Sequence, residues 1–367
     1  MKGQWVGKYS GTSSGEVIIN VDEVDEHYEM TVYILPFSKE LPSSIAFIKT
    51  ENKNSEQDVK ANVSPLHPET LSIVKWEDIK ALYRQDIVHS KTAIVKLQFK
   101  SNELILNAKS DIGIEFNAHL SQPKNNKYSI ISGKNLKWDE YKKYVTSLDY
   151  SKHMFRGQNQ PWKLSTAFHR RGRYRFDNFL SNEIPSLHKK MSSITNHYLD
   201  LSKPEEYGAF VSLLQHHGYP TPLLDWTLSP YVAAFFAFRN LKHLTVKEEN
   251  TRIFIFDYVS WHENYERHNY LERPFLHFSV MDFIPINNPR LIPQQAKTTI
   301  TNVSDIEEYL QEKERVKGLK FIRAIDIDIS ERNKVMRDLR YMGITAGTMF
   351  PGFDGICEEM RELYYDE

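Results

Sequence analysis

The sequence holds one cysteine in 367 residues, Cys357. That excludes an intrachain disulfide and any zinc site built on paired cysteines. A lone thiol fits a reducing compartment, so the expected location is cytoplasmic. The opening residues MKGQWVGKYSG lack the long apolar core of a signal peptide. No run approaches the roughly 18 apolar residues of a membrane span, so no membrane partner is expected. Excess charge of either sign is also lacking: 47 Lys and Arg oppose 48 Asp and Glu, for a net charge of −1. Bulk electrostatics therefore give no reason for non-specific nucleic-acid binding, although a local basic patch stays open. There is no internal repeat, residues 1–122 show no glycine-rich phosphate loop and no histidine–carboxylate cluster at metal spacing, and the adjacent His216 and His217 diverge with no cysteine nearby, so no metal is expected. Hydrophobic residues make up 40%, including 20 Tyr and 20 Phe. A chain of this length and composition supports large cores and two domains.

Residues 1–122 read as a β-rich accessory domain. Segments 5–11, 16–21, 28–35, 45–50, 93–100, 103–107 and 112–120 are rich in β-branched and aromatic residues. An acidic turn at 22–26 makes a hairpin of the second and third, and Ser101-Asn102 makes a tight turn later. The polar run 51–62 reads as a loop and 76–83 as a short helical turn. The sum is a small antiparallel sandwich or barrel, serving as a partner or oligomer surface. Residues 123–134, opening on proline and asparagines, read as a linker region.

Residues 135–367 read as α+β. Helices are expected at 138–148, 176–201, 205–217, 305–313, 330–342 and 356–364, and strands at 153–158, 251–258 and 321–327. Pro185 must kink the second helix or mark a first turn. Ser330 is the expected cap of the fifth, and Gly343 its stop. Arg170, Arg171 and Arg173 form a basic group whose plain reading is a solvated face.

The centre of this half is the run 213–238. A helix closes on His216, His217 and Gly218. Pro220 and Pro222 then forbid helix. Asp225, Trp226, Thr227 and Ser229 crowd a polar turn before Pro230, with Ser229 as N-cap and Pro230 as N1. The apolar helix after it should be buried. Free N–H groups at such a helix start favour an anionic ligand.

A tripeptide and four later blocks, in order, carry a resemblance: Phe155-Arg156-Gly157, then HHGYPTPLLDWTLSPYVAAFFAF, the strand 251–258, Asn288-Pro289-Arg290 followed by Gln294, and MFPGFDGI. Together they resemble the FRG domain family across about residues 135–367. That family is similar in architecture to the ADP-ribosyltransferase fold, and the resemblance implies NAD as substrate. In that pattern Phe155, Arg156 and Gly157 match an aromatic-Arg-Gly strand whose arginine holds NAD. Trp226, Thr227 and Ser229 match a hydroxyl-bearing strand before an alanine-rich helix. The late-strand glutamate that serves the ribose is replaced here by Gln294 or Gln295. Glutamine lacks the negative charge that opposes a developing cation. Asp225 is the first substitute, and His216 or His217 are acid–base or ribose-contacting candidates.

The expected catalytic set is Arg156, His217, Asp225 and Gln294. Phe155, Gly157, His216, Trp226, Thr227 and Ser229 join Arg156 in binding. Each has a structural alternative: Arg156 as partner of a core carboxylate, Asp225 as a turn-former, the hydroxyls as caps. The resemblance implies an NAD-using ADP-ribosyltransferase or NAD glycohydrolase acting as toxin or defence effector, with a protein or nucleic-acid acceptor. The alternative is a non-catalytic nucleotide or nucleic-acid sensor in stress or phage defence.

Overall fold

The computed structural model describes residues 1–123, 126–195, 197–239, 241, 249–269, 271 and 273–365. The N-terminal unit is a closed antiparallel barrel of β1 (Gly3–Gly11), β2 (Gly15–Val24), β3 (His27–Pro36), β4 (Ser44–Lys49), β5 (Glu56–Pro65), β6 (Thr92–Lys100), β7 (Glu103–Ser110) and β8 (Glu115–Ser121). β8 returns to β1, with Gly7 opposite Leu120, so no sheet edge is left unpaired. Strand alternation fills the interior: Val17, Ile19 and Val21 of β2 share one core with Trp5, Met30 and Leu104. β5 corrects the reading of 51–62 as a loop. Within 51–62 its buried residues are Val59 and Ala61, and polar neighbours hide the alternation.

β2 is buried on both faces. Its outward Ile18 clusters with Tyr33, Ile45 and Leu66, and Leu276 of the second unit packs against them. Polar contacts flank this patch. Gln4 Nε2 donates to the Asn302 carbonyl at 2.8 Å, and the Ser304 N–H donates to Gln4 Oε1 at 3.0 Å. The buried Asp22 carboxylate accepts from Arg173 Nε at 3.0 Å and from the Tyr174 N–H at 2.6 Å. Arg175 pairs with Glu29. The barrel is therefore docked on the second unit rather than strung from it.

The second unit is α+β. Its sheet runs β13 (Phe278–Met281), β14 (Ala296–Thr301), β11 (Leu223–Thr227), β10 (His153–Gln158), β12 (Asn250–Asp257), β15 (Ile322–Asp328) and β9 (Gly133–Asn135). All pairings are antiparallel except β15 with β9. Alternate residues serve opposite faces: Phe155, Ile253 and Ile325 pack under the helix Pro230–Phe238, while Met154, Phe254 and Ile322 face a second core around Trp261. Residues 129–134, read as the end of a linker, are built into this unit. The Ser129 hydroxyl and Ile130 N–H donate to the buried Glu307 carboxylate at 2.9 and 2.7 Å.

Three helical readings need correction. The stretch 176–201 is not one helix: a short turn at Phe176–Asn178 and a π turn at Phe179–Glu183 precede the helix Ile184–Met191, and Pro185 lies in its first turn. Ser330 does not cap by its side chain. Asp328 accepts from the Ser330 N–H at 2.8 Å, and a 3-10 turn leads into Arg332–Tyr341. The polar turn expected at 225–229 is partly strand, because β11 runs through Thr227. Among the described residues no helix is long and apolar enough to cross a membrane.

Candidate functional site

The sheet is split at its centre. β10 pairs with β12 along its whole length, from His153 opposite Asp257 to Gln158 opposite Arg252. With β11 it shares a single register pair, Phe155 opposite Thr227. A cleft of about 1210 Å³ is lined by residues of both strands. Arg156 crosses the gap, and its guanidinium donates to the Asp225 carbonyl at 2.5 Å. Its Nε has no partner among the described residues. Part of its surface faces the cleft, but protein surrounds the rest. Burial pushes its pKa down to about 10 against the opposing effect of Asp225, so it stays cationic at neutral pH.

The cleft is basic although the chain is not. Lys2, Lys127, Arg156, Arg170, Arg171 and Arg290 line it without a carboxylate partner among the described residues. Lys163 and Arg239 also line it but are paired, with Asp305 and Glu358. The lining carboxylates are Asp225 and Asp305. Asp305 caps the helix Ile306–Lys317 and holds Lys163, whereas Asp225 is exposed and unpaired among the described residues. Converging cations around one free carboxylate suit a phosphate-bearing ligand.

The structure brings together Phe155, Arg156, Gly157, His216, Asp225, Trp226, Thr227 and Gln294 around this cleft. It does not bring Ser229 or His217 to the lining. The Ser229 hydroxyl accepts from the Val232 N–H at 3.2 Å as an N-cap, the structural alternative to its expected ligand contact. His217 is exposed at the helix end, its ring 4.7 Å from that of His216. Of the two histidines, His216 faces the cleft. Burial first, then Arg290 and His217, hold its pKa near 4, so it is neutral at pH 7.

Several lining residues are committed to the fold. The Thr227 hydroxyl donates to the Gln294 carbonyl at 2.7 Å. Gln294 Nε2 donates to the Met349 carbonyl at 2.8 Å. Trp226 is buried, with its indole N–H on Thr299 Oγ1 at 3.1 Å. Gly157 is required by close approach: a Cβ there would overlap the Ala233 carbonyl oxygen and sit 2.8 Å from Ala237 N. Gln294 and Gln295 are resolved as well. Gln294 lines the cleft, while Gln295 turns through a left-handed φ of 47° and its carbonyl accepts from Leu228.

The residues that sequence reasoning missed lie in the short helix Ala167–Arg170 and in loops. Arg170 and Arg171 line the cleft, and Arg173 turns the other way to Asp22 and Glu183. His169 and Asn288 are 6% and 5% exposed, line the same cleft, and leave Nε2 and Oδ1 without partners among the described residues. The signal for His169 was available: Thr166, three residues earlier, caps the turn that carries it. Among the described residues no group of three or more His, Cys, Asp or Glu is placed to hold a metal ion.

Comparison with known proteins gives one family. A model of the FRG domain matches residues 151–245. The match spans β10, the Arg170–Arg173 segment, β11 and the helix Pro230–Phe238; the later blocks that line the cleft, Asn288–Gln294 and Phe350, lie beyond it. No curated protein and no solved structure gives a significant match. The segment that sets Arg156 and Asp225 at the split of the sheet is an FRG domain.

Proposed function

We propose that the cleft binds NAD and breaks the bond between its nicotinamide and ribose, in the manner of an ADP-ribosyltransferase or NAD glycohydrolase acting as a toxin or defence effector. The observation that carries this reading is the charge pattern at the sheet split: cations without a carboxylate partner among the described residues converge on the cleft, and Asp225 is the one unpaired carboxylate that those residues place among them. Arginine forks suit a pyrophosphate, and Arg156 is pre-positioned by its bond to the Asp225 carbonyl. Asp225, not Gln294, takes the place of the missing glutamate. Its charge stabilises the ribose as the C1′–N bond breaks and neutral nicotinamide leaves. Water, or a nucleophile on a protein or nucleic-acid acceptor, then bonds to C1′ and releases one proton. His216 enters as a neutral hydrogen-bonding group rather than a charged acid.

Incubation with NAD, with nicotinamide release followed by chromatography, tests this. Release should depend on both Arg156 and Asp225. Absence of release in the presence of candidate acceptors overturns the catalytic reading. A second reading, a nucleotide sensor without chemistry, is favoured by Thr227 and Gln294. Both side chains donate to main-chain carbonyls rather than standing free for a ribose. Saturable NAD binding with no product supports it.

A further inference from the structure

The helix Phe353–Tyr365 packs by its polar side. Its buried residues are Gly355 and Glu362, and the carboxylates beside them turn inward. Glu358 holds Arg239 of the cleft, accepting from its Nη2 at 2.6 Å. Glu359 Oε2 accepts from the Gly347 N–H at 2.9 Å and from the Thr345 hydroxyl at 2.7 Å. The apolar residues lie across the helix axis. At about 100° per residue, Phe353, Ile356, Met360 and Tyr364 fall within roughly 80° of one another, opposite Gly355, Glu358 and Glu362. Phe353 is 89% exposed, Ile356 52%, Met360 43% and Tyr364 72%. A surface helix ordinarily buries its apolar stripe and leaves its charges in water. Here the arrangement is reversed, which marks the outer face as an interaction site.

The pattern on that face says what covers it. Phe353, Ile356, Met360 and the half-buried Leu363 follow the a and d spacing of a coiled-coil seam. The seam is also complementary to its own reverse. Laid antiparallel about a two-fold axis near Cys357 and Glu358, Ile356 meets the partner's Met360 and Phe353 meets the partner's Tyr364. Asp354 then lies on the same edge of the seam as the partner's Arg361. Phe353, Ile356, Met360 and Tyr364 expose roughly 500 Å² of side-chain surface, so a pair covers about 1,000 Å², enough for a specific interface. An anionic lipid surface fits less well, because the helix carries Asp354, Glu358, Glu359 and Glu362 against a single cation, Arg361. We propose that this face pairs with the same face of a second copy of the chain, as an antiparallel helix dimer.

Cys357, the one cysteine of the chain, is exposed on this helix and comes close to its counterpart at the two-fold axis. It therefore serves as a built-in probe. The test is sedimentation velocity of the full chain at micromolar concentration, for wild type, Ile356→Lys and Met360→Lys, beside cross-linking of Cys357 by a short bis-maleimide. The wild type should sediment as a dimer and cross-link to a covalent dimer. Each variant should associate at least about tenfold more weakly, cross-link correspondingly less and keep its melting temperature when dilute. A monomeric wild type overturns the proposal, and so does a dimer that both variants retain. If the variants unfold, the cross-link in the unmutated chain decides: a dimer that Cys357 does not bridge uses another face. A monomeric wild type that floats with phosphatidylcholine vesicles assigns the face to a membrane and overturns the proposal as well.

Discussion

The guanidinium of Arg156 donates to the main-chain carbonyl of Asp225 at 2.5 Å, across the gap between two strands that share only one register pair. A side chain thus stands where a ladder bond would otherwise close the sheet. The bond keeps the cleft open and fixes the direction of the remaining guanidinium donors. It also brings the Asp225 carboxylate near Arg156 without forming an ion pair, so both charges stay available to a ligand.

Arg156→Lys should therefore behave as a loss of function rather than a conservative change. One ammonium cannot both hold the Asp225 carbonyl and present a planar fork to phosphate. A hydrogen bond to a charged group contributes about 1.5–3 kcal/mol, so the affinity for ADP-ribose should fall about tenfold to a hundredfold. Calorimetric titration reads the loss, and an affinity within twofold of wild type would remove Arg156 from the binding set.

The barrel should matter to the cleft through Asp22. Its carboxylate holds Arg173 and the Tyr174 N–H, directly after Arg170 and Arg171 in the chain. Asp22→Ala strands those donors in a buried interface, at a cost of about 1–3 kcal/mol. ADP-ribose affinity should fall with it as the arginine segment loosens. Burial, outweighing the bonds from Tyr174 and Arg173, raises the Asp22 pKa above its ordinary 3.8. A raised folded value means that the folded chain holds the proton better than the unfolded one. The Asp22 contribution is then full below about pH 4 and is lost as pH rises through the folded value. Asp22→Asn, which cannot ionise, should flatten that dependence. Urea denaturation of the three proteins across pH 4–7 measures both effects.

Two histidines of the cleft make the fold less stable as pH falls. His169 and His216 are held near 3 and 4, mainly by burial, from an ordinary value of 6.5. A depressed folded value contributes stability above the unfolded pKa, and that stability falls away as pH drops towards the folded one. Between pH 7 and pH 5 the His169 contribution should shrink by about 2 kcal/mol. His169→Phe should lose correspondingly less stability over that interval, read from urea midpoints at the two pH values. An identical pH dependence in wild type and variant would place the histidine in a solvated site.

What the sequence made legible follows from where the physical signal was local. The capped helix start at Ser229-Pro230 and the strand bearing Arg156 were readable because caps, proline and alternation act within a few residues. β14 was not, because its run AKTTIT shows little apolar character. Its Thr298, Thr299 and Thr301 are buried all the same, and Thr301 Oγ1 donates to the His277 carbonyl at 2.7 Å. The basic wall of the cleft was illegible for another reason: Lys2, Arg170 and Arg290 lie far apart in the chain and meet only after the barrel docks. Arg173 shows the limit most plainly. It looked like one more member of a solvated face, and only the partner on the barrel separates it from Arg170 and Arg171.

Gly157→Ala should damage the fold before it damages the chemistry. The added methyl would overlap the Ala233 carbonyl oxygen on the helix Pro230–Phe238, forcing that helix off the sheet. Overpacking of this kind costs about 1–3 kcal/mol, and main-chain atoms cannot rotate away as a side chain could. Asn159 ties the far end of the same helix through the Ala237 and Arg239 carbonyls, both at 2.8 Å, which limits its retreat. A drop in melting temperature accompanied by weaker ADP-ribose binding is the expected result. Wild-type stability would mean that the helix can move freely.

The last prediction separates the two amide-or-acid positions. If Gln294 stood in for a catalytic glutamate, Gln294→Glu should raise NAD turnover. The geometry argues otherwise: Gln294 Nε2 donates to the Met349 carbonyl at 2.8 Å, and a carboxylate has no proton to donate there. Gln294→Glu should set two acceptors against each other, cost about 1–3 kcal/mol in stability and give no gain in nicotinamide release. Asp225→Asn keeps the side chain's shape and leaves the main-chain carbonyl that holds Arg156, so the fold should survive. It removes the one unpaired carboxylate that the described residues place in the cleft, and release should fall by about two to three decades. Turnover that rises in Gln294→Glu and persists in Asp225→Asn would reverse the assignment and return the ribose contact to the start of β14.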